Sequence, residues 1–454
     1  MRRLVLSCAA VLALVLAAGI VRATTPAEAK SRIGHIFVIY LENRGFDHLY
    51  GLFPGADGLR DAGPRSIQRD AQGRAYETLP PVMDTTHKPP AVDPRFPARL
   101  PNAPFLIDPH VPQDVKTGDL VHRYYQQIQQ IDGGSMSRFA AYSDAGGLVM
   151  GYYDGRGMAL WQYAQRYVLA DRFFQGALGG SFLNHFWLVC ACTPRFTDGP
   201  AEMRAVLDAD GRLVKDGALT PDGYAVNTIQ PRATPHHPAA ADPAKRLPPQ
   251  DLPTIGDRLS ERGVSWAWYS GGWDDALAGK PDPRFQFHHQ PFAYFQRYGD
   301  GTPDRAKHLK DLKDLLADIE QNTLPQVVFY KPIGADNQHP GYADVAQADR
   351  HVADLLGRLE KSPAWPGLVV IVTYDENGGF WDHVPPPVAD RWGPGTRVPT
   401  LVISPLARRG YVDHTPYDTT SILRFIEWRH DLAPLGERDA KAHNLLGALA
   451  VEGP

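Results

Sequence analysis

Residues 368–387 read LVVIVTYDENGGFWDHVPPP. An apolar, β-branched run of seven residues ends in two adjacent carboxylates, Asp375 and Glu376. It then turns through Gly378 and Gly379 and stiffens in Pro385, Pro386 and Pro387. A run without polar alternation predicts a strand covered on both faces, the usual state of a strand in a parallel sheet. Three further stretches share the pattern: IGHIFVIYL (33–41), PQVVFY (325–330) and PTLVISP (399–405). Each is read as a buried parallel strand. Helical spacing of three and four recurs in DRAKHLKDLKDLLADIEQN (304–322) and YADVAQADRHVADLLGRLEK (342–361). DTTSILRFIEWRHDL (418–432) opens on Asp418, an N-cap candidate. Strands alternating with helices predict an α/β protein, a three-layer α/β/α sandwich with a mostly parallel central sheet. Ligands of such sheets bind beyond the carboxyl ends of the strands. The residues just past each strand therefore carry the functional reading.

The bulk composition fits that fold. The chain has 454 residues, 43% hydrophobic and 22% charged, which suits a globular protein with a sizeable core. A formal charge of −4 gives no basic surface for nucleic acid and no polybasic membrane anchor. With 42 Gly and 41 Pro, long structured loops are expected. Residues 52–118 and 194–255 read as loop-rich insertions in a single domain over 24–454, the second an irregular cap over one edge of the site. Residues 1–23, MRRLVLSCAAVLALVLAAGIVRA, pair two arginines with an apolar core and small residues. This is a signal-peptide pattern with a cut after Ala23, and it predicts a periplasmic or secreted product. No later stretch is long and apolar enough to cross a bilayer. Past the leader only Cys190 and Cys192 remain. A bridge across one residue is expected to be strained, so two small buried thiols are predicted.

Two strand ends offer hard oxygen donors. The run ending at Leu41 is followed by Glu42 and Asn43, and the run ending at Tyr374 by Asp375 and Glu376. Such clusters suit a hard divalent cation. Strand-end acids also cap helices or form salt bridges, but two pairs at carboxyl ends of one sheet favour a metal. In GALGGSFLNHFWLVCACT, Ser181 follows Gly179 and Gly180 and opens an apolar helix. A hydroxyl there sits where backbone N–H groups and the helix dipole favour an anion, although capping is its commoner role. Asn184 and His185 lie close behind it. A third constellation is His288-His289 among aromatic residues, His339 between a strand and a helix, and His122 near a helix start. Together these histidines suggest a shared polar pocket.

The pieces IFVIYLENRGFDHLYG, QIDGGSMSRFAAYSDAGGLVMGYY, GGSFLNHFWL, FHHQPFAYF, QHPGYADV and TYDENGGFWDHVPPP resemble the bacterial phosphoesterase family of acid phosphatases and phospholipases C, in the alkaline-phosphatase-like superfamily. The resemblance spans roughly residues 31–430. It implies that Glu42, Asn43, Asp375 and Glu376 hold one divalent metal ion (Ca, Mg, Mn or Fe). It implies that Ser181 attacks phosphorus and touches the metal. Asn184, His122, His288, His289 and His339 would line the phosphate pocket, with His185 beside them. The family usually has Ser where Gly45 stands. Its phospholipase members commonly carry extra C-terminal β-domains and a Thr nucleophile, so the acid phosphatase branch is the expectation. Small phosphate esters are then the substrates, and phospholipids are the alternative. Positive charge on His288, His289 or His339 below a pKa of about 6.5 predicts an acid-side optimum.

Overall fold

The computed structural model describes residues 25–450; the expected leader lies outside them. Eight strands form the central sheet. They are β1 (His35–Leu41), β2 (Val168–Ala170), β3 (Trp266–Ser270), β4 (Leu309–Lys310), β5 (Val327–Lys331), β6 (Leu368–Tyr374), β7 (Thr400–Ile403) and β8 (Tyr411–Asp413). Their order across the sheet is β4-β3-β5-β1-β6-β7-β2-β8. Every residue of β5 and β6 is buried, so neither strand has a face open to solvent.

Register shows which side each residue serves. In the parallel pair β1–β5, Ile39 lies beside Tyr330, so Tyr330 points away from the face of Tyr40. The Tyr40 hydroxyl donates to the Asn184 carbonyl at 3.1 Å, which places helix Ser181–Cys190 on that face. The Tyr330 hydroxyl meets His351 Nε2 at 2.7 Å, placing helix Val345–Lys361 on the other. Helix Thr419–His430 packs on the first of these helices and Ala159–Arg166 on the second. The three layers follow. Asp344 and Asp418 cap their helices by accepting from Gln347 N and Thr420 N.

Three expectations fail in instructive ways. Strand β7 is antiparallel to both neighbours. A parallel return needs a crossover connection, usually a helix, and the segment between β6 and β7 contains no helix. Residues 304–322 form two helices, Pro303–His308 and Leu312–Glu320. Between them Leu309 is buried as part of β4, which pairs with Trp268 and Tyr269. Asp311 then restarts the helix in a reciprocal cap with Asp314. Finally, Cys190 and Cys192 form a disulfide and are not free thiols. Ala191 adopts a left-handed backbone (φ 47°, ψ 37°), folding the chain back so that the flanking Cα atoms lie 5.1 Å apart, within the ordinary range for a bridge.

Candidate active site

In the parallel pair β1–β6, Leu41 lies beside Tyr374. The next residues of each strand, Glu42 and Asp375, therefore emerge side by side at the carboxyl edge. Asp375 Oδ1 accepts from the backbone N–H groups of Asn43 (3.0 Å) and Glu376 (2.8 Å). Glu376 Oε2 accepts from Gly378 N at 2.6 Å. The glycines after these carboxylates are required by space. Gly378 has φ +65°, and a Cβ there would stand 2.2 Å from the Asn43 carbonyl oxygen. Gly379 has φ +76°, and its Cβ would meet the Val121 oxygen at 2.6 Å. Asn43 itself holds φ +57°, an uncommon conformation for a residue with a side chain. By contrast, a Cβ at Gly45 finds nothing nearer than 3.5 Å, so a side chain fits there.

Ser181 is the first residue of its helix, with Gly180 as the cap, so its hydroxyl does not cap the helix. Instead Oγ lies 3.0 Å from Asn43 Oδ1, 3.2 Å from Glu42 Oε2 and 3.5 Å from Glu376 Oε1. One hydroxyl proton faces three acceptors. The other end of the Asn43 amide is fixed by two rings. Its Nδ2 lies 3.0 Å from His339 Nε2 and 3.2 Å from His122 Nε2. Each ring turns its Nδ1 to a backbone carbonyl, His339 to Pro340 (2.6 Å) and His122 to Leu120 (2.5 Å). Both rings are therefore Nδ1–H tautomers accepting from the amide, and Asn43 Oδ1 is left to face Ser181.

The charges of this cluster do not balance by themselves. Burial pushes the Glu42 carboxyl up, but His289 and Lys331 outweigh it and hold Glu42 well below the carboxylate range. Burial, with Glu42 close by, pushes Asp375 well above its ordinary value. Burial likewise raises Glu376, overcoming its bond from Gly378. Asp375 Oδ2 is buried without a hydrogen-bond partner. Three buried carboxylates, an amide oxygen and a hydroxyl converge with too few protons among them. That donor set fits a hard divalent cation.

The histidines and Asn184 divide into groups that the sequence does not distinguish. His122, His288 and His339 line a pocket of about 470 Å³ together with Glu42 and Ser181. His289 stands behind Glu42, with Nε2 2.8 Å from Oε1. His185 stacks on the His289 ring, and its Nδ1 meets the Ser181 carbonyl at 2.7 Å. Asn184 faces away from the pocket. Its Oδ1 accepts from Ala177 N (2.8 Å) and its Nδ2 donates to the carbonyls of Ala177, Gly179 and Gly180. Asn184 thus shapes the turn that presents Ser181. The expectation of positively charged rings just below neutrality also fails. Burial holds His185 and His288 well below the usual histidine value, lowers His339, and brings His289 to about 4.

Other residues escaped the sequence reading. Lys331, the last residue of β5, is fully buried with Nζ 2.5 Å from Glu42 Oε1. A charged residue closing an apolar strand was the available clue. Gln127 accepts from Gly179 N (2.7 Å) and donates to Asn377 Oδ1 (2.8 Å), tying the Ser181 turn to the DENGG turn. His383 Nδ1 bonds Asp47 at 2.6 Å, and Arg397 reaches both Asp382 (2.8 Å) and Asp47 (3.1 Å). Thr85 and Lys88 from the first insertion and Val226, Asn227 and Thr228 from the second also line the pocket.

The chain is 25% identical over 441 residues to phospholipase C A of Mycobacterium tuberculosis, covering 87% of this chain and 72% of that one. It is 25% identical over 447 residues to the hemolytic phospholipase C of Pseudomonas aeruginosa, covering 87% and 52%. Among solved structures, an alkaline phosphatase superfamily protein from Vibrio parahaemolyticus aligns over 73% of this chain and 74% of its own, at 11% identity and a TM-score of 0.35. The Phosphoesterase family matches residues 33–433, a span that holds each of the side chains described above, and the chain belongs to that family.

Proposed function

We propose that this chain is a metal-dependent phosphoester hydrolase acting through Ser181, with phosphomonoesters as substrates in the manner of the acid phosphatase branch. The observation that carries the reading is the position of Ser181 Oγ. It lies at the first turn of a helix, on the pocket surface, within 3.5 Å of Glu42, Asn43 and Glu376. Glu42, Asn43, Asp375 and Glu376 would hold the divalent ion, which when bound lowers the pKa of a hydroxyl and offsets charge on a phosphoryl oxygen. Ser181 Oγ then attacks phosphorus in line; the Oγ–P bond forms, the P–O bond to the alcohol breaks, and the alcohol leaves with a proton. Water cleaves the phosphoserine and restores the hydroxyl. His122 and His339 keep the Asn43 amide turned so that its oxygen faces Ser181, and His288 lines the space around the phosphoryl group.

The monoester preference is supported by the polar groups around the pocket, among them Thr85, Lys88, Asp119 and Asn227. Relatives named phospholipase C favour a second reading, cleavage of a phosphodiester head group from a phospholipid. Leu120, Val121, Phe182 and Val226 are the apolar part of the pocket that a diester could use. Rates on p-nitrophenyl phosphate and p-nitrophenylphosphorylcholine at matched metal separate the two. A large preference for the second compound overturns the monoester reading. Export to an oxidising compartment is part of the proposal. It is supported by the leader pattern and the Cys190–Cys192 bridge, and N-terminal sequencing of the mature product tests it. Among the described residues no helix is long and apolar enough to cross a membrane.

A further inference from the structure

Glu42 uses its two carboxylate oxygens differently. Oε2 faces Ser181 at 3.2 Å. Oε1 faces the opposite way, toward Lys331 Nζ at 2.5 Å and His289 Nε2 at 2.8 Å. Lys331 also donates to the Leu41 carbonyl at 3.3 Å, and its ammonium lies 5.1 Å from the Tyr40 ring centre. Its side chain is wholly buried, and it does not line the substrate pocket. On this inner side, donor atoms of Glu42, His185 and His289 all lie within 4.8 Å of one another. All three residues are buried, and His185 Nε2 has no hydrogen-bond partner. One carboxylate oxygen and two imidazole nitrogens at this spacing make a donor set for a borderline ion such as zinc or cobalt.

We infer that Lys331 is a built-in second cation: its ammonium takes the position beside Glu42 Oε1 that a second metal ion would otherwise occupy, and so limits the site to a single exchangeable ion. The inference rests on the reading that the oxygen cluster at Ser181 holds one divalent ion. Lys331 acts through Glu42 and is a positioning residue. Its positive charge pins Oε1, so only Oε2 turns toward the serine. Without that charge, Glu42, His185 and His289 are left as an open nitrogen-rich pocket behind the first site. A neutral residue of similar length at 331 should convert the protein from one bound ion to two.

The test measures total divalent metal per chain (Mg, Ca, Mn, Fe, Co and Zn), by elemental analysis after gel filtration with zinc or cobalt added, on the native protein and on Lys331→Met, Lys331→Arg and Lys331→Met/His289→Ala. The native protein and Lys331→Arg should hold one ion. Lys331→Met should hold two, with a cobalt absorption band absent from the native protein, and the double variant should return to one. Two tightly held ions in the native protein overturn the inference, and this needs no variant to fold. A folded Lys331→Met, verified by circular dichroism, that holds the native number of ions also overturns it. The two readings fail separately: a native protein holding none, with Lys331→Met holding one that His289→Ala removes, refutes the Ser181 site and keeps the role of Lys331.

Discussion

Replacing Gly378 with alanine isolates the geometry of the strand-end turn from general stability. The Cβ would lie 2.2 Å from the carbonyl oxygen of Asn43, and such contacts are not seen below 3.0 Å. Asn43 or the DENGG turn must therefore yield by about 0.8 Å, the difference between these distances. Displacements on the scale of 1 Å in a catalytic constellation cost about 10²-fold in rate. The left-handed backbone alone costs about 1–2 kcal/mol for any residue with a Cβ. Gly263 supplies the control: it has φ +68° and nothing within 4 Å of its Cβ position. Both variants should lose about 1–2 kcal/mol in urea unfolding from the backbone term, and Gly378→Ala more than that. Only Gly378→Ala should lose about 10²-fold in kcat/KM on p-nitrophenyl phosphate. The reasoning is refuted if Gly378→Ala keeps kcat/KM within about threefold of native, or if Gly263→Ala falls as far.

Ser181→Ala should lower kcat by about 10³-fold or more while metal content stays at the native level; a tenth of native activity remaining would remove Ser181 from its role. Burial lowers His383, but the hydrogen bond and charge of Asp47 outweigh it and raise the ring to about 9. Against an ordinary value of about 6.5 this is roughly 3 kcal/mol of stability. Because the folded value is the higher one, that stability is complete below about pH 6.5 and lost as pH rises through about 9. Thermal melts should fall across that window, and His383→Gln should flatten the fall; a native Tm that holds steady to pH 10 contradicts it. Chelation should abolish activity and lower Tm, because Glu42, Asp375 and Glu376 are then buried together with Lys331 as, among the described residues, the single nearby lysine or arginine charge. Asp375→Asn should shrink the chelator's effect on Tm, and an equal drop in both proteins would argue against a shared ion.

The sheet and the strand-end carboxylates were legible because they depend on local pattern. Apolar, β-branched runs such as VVIVTY read as buried strands, and where two of them run parallel, as β1 and β6 do, the residues after them emerge at one edge. What the sequence did not reveal depends on pairing across the chain. That β7 runs backwards is a property of the connection before it, not of PTLVISP itself. Asn184, four residues from Gly180, reads as a pocket donor but bonds the backbone of its own turn. Lys331 reads as an unremarkable strand-end lysine until β5 is known to lie beside β1. His122, His288 and His339 line one pocket, while the burial that lowers His288 and His339 was invisible in the sequence. The disulfide was missed because it depends on the backbone of Ala191.

The helix-free return between β6 and β7 has a practical consequence. Its base is clamped by Arg397 to Asp382 and Asp47, while Val388 at its crest, after three prolines, is 94% exposed. Chemistry is fixed at the foot of the arch; Val388 stands clear of it, while Asp390 and Arg391 just beyond are held by Arg438 and Asp222. A short epitope or a dye-bearing cysteine grafted at 388 should leave turnover untouched, which makes this crest a handle for immobilising the protein or labelling it.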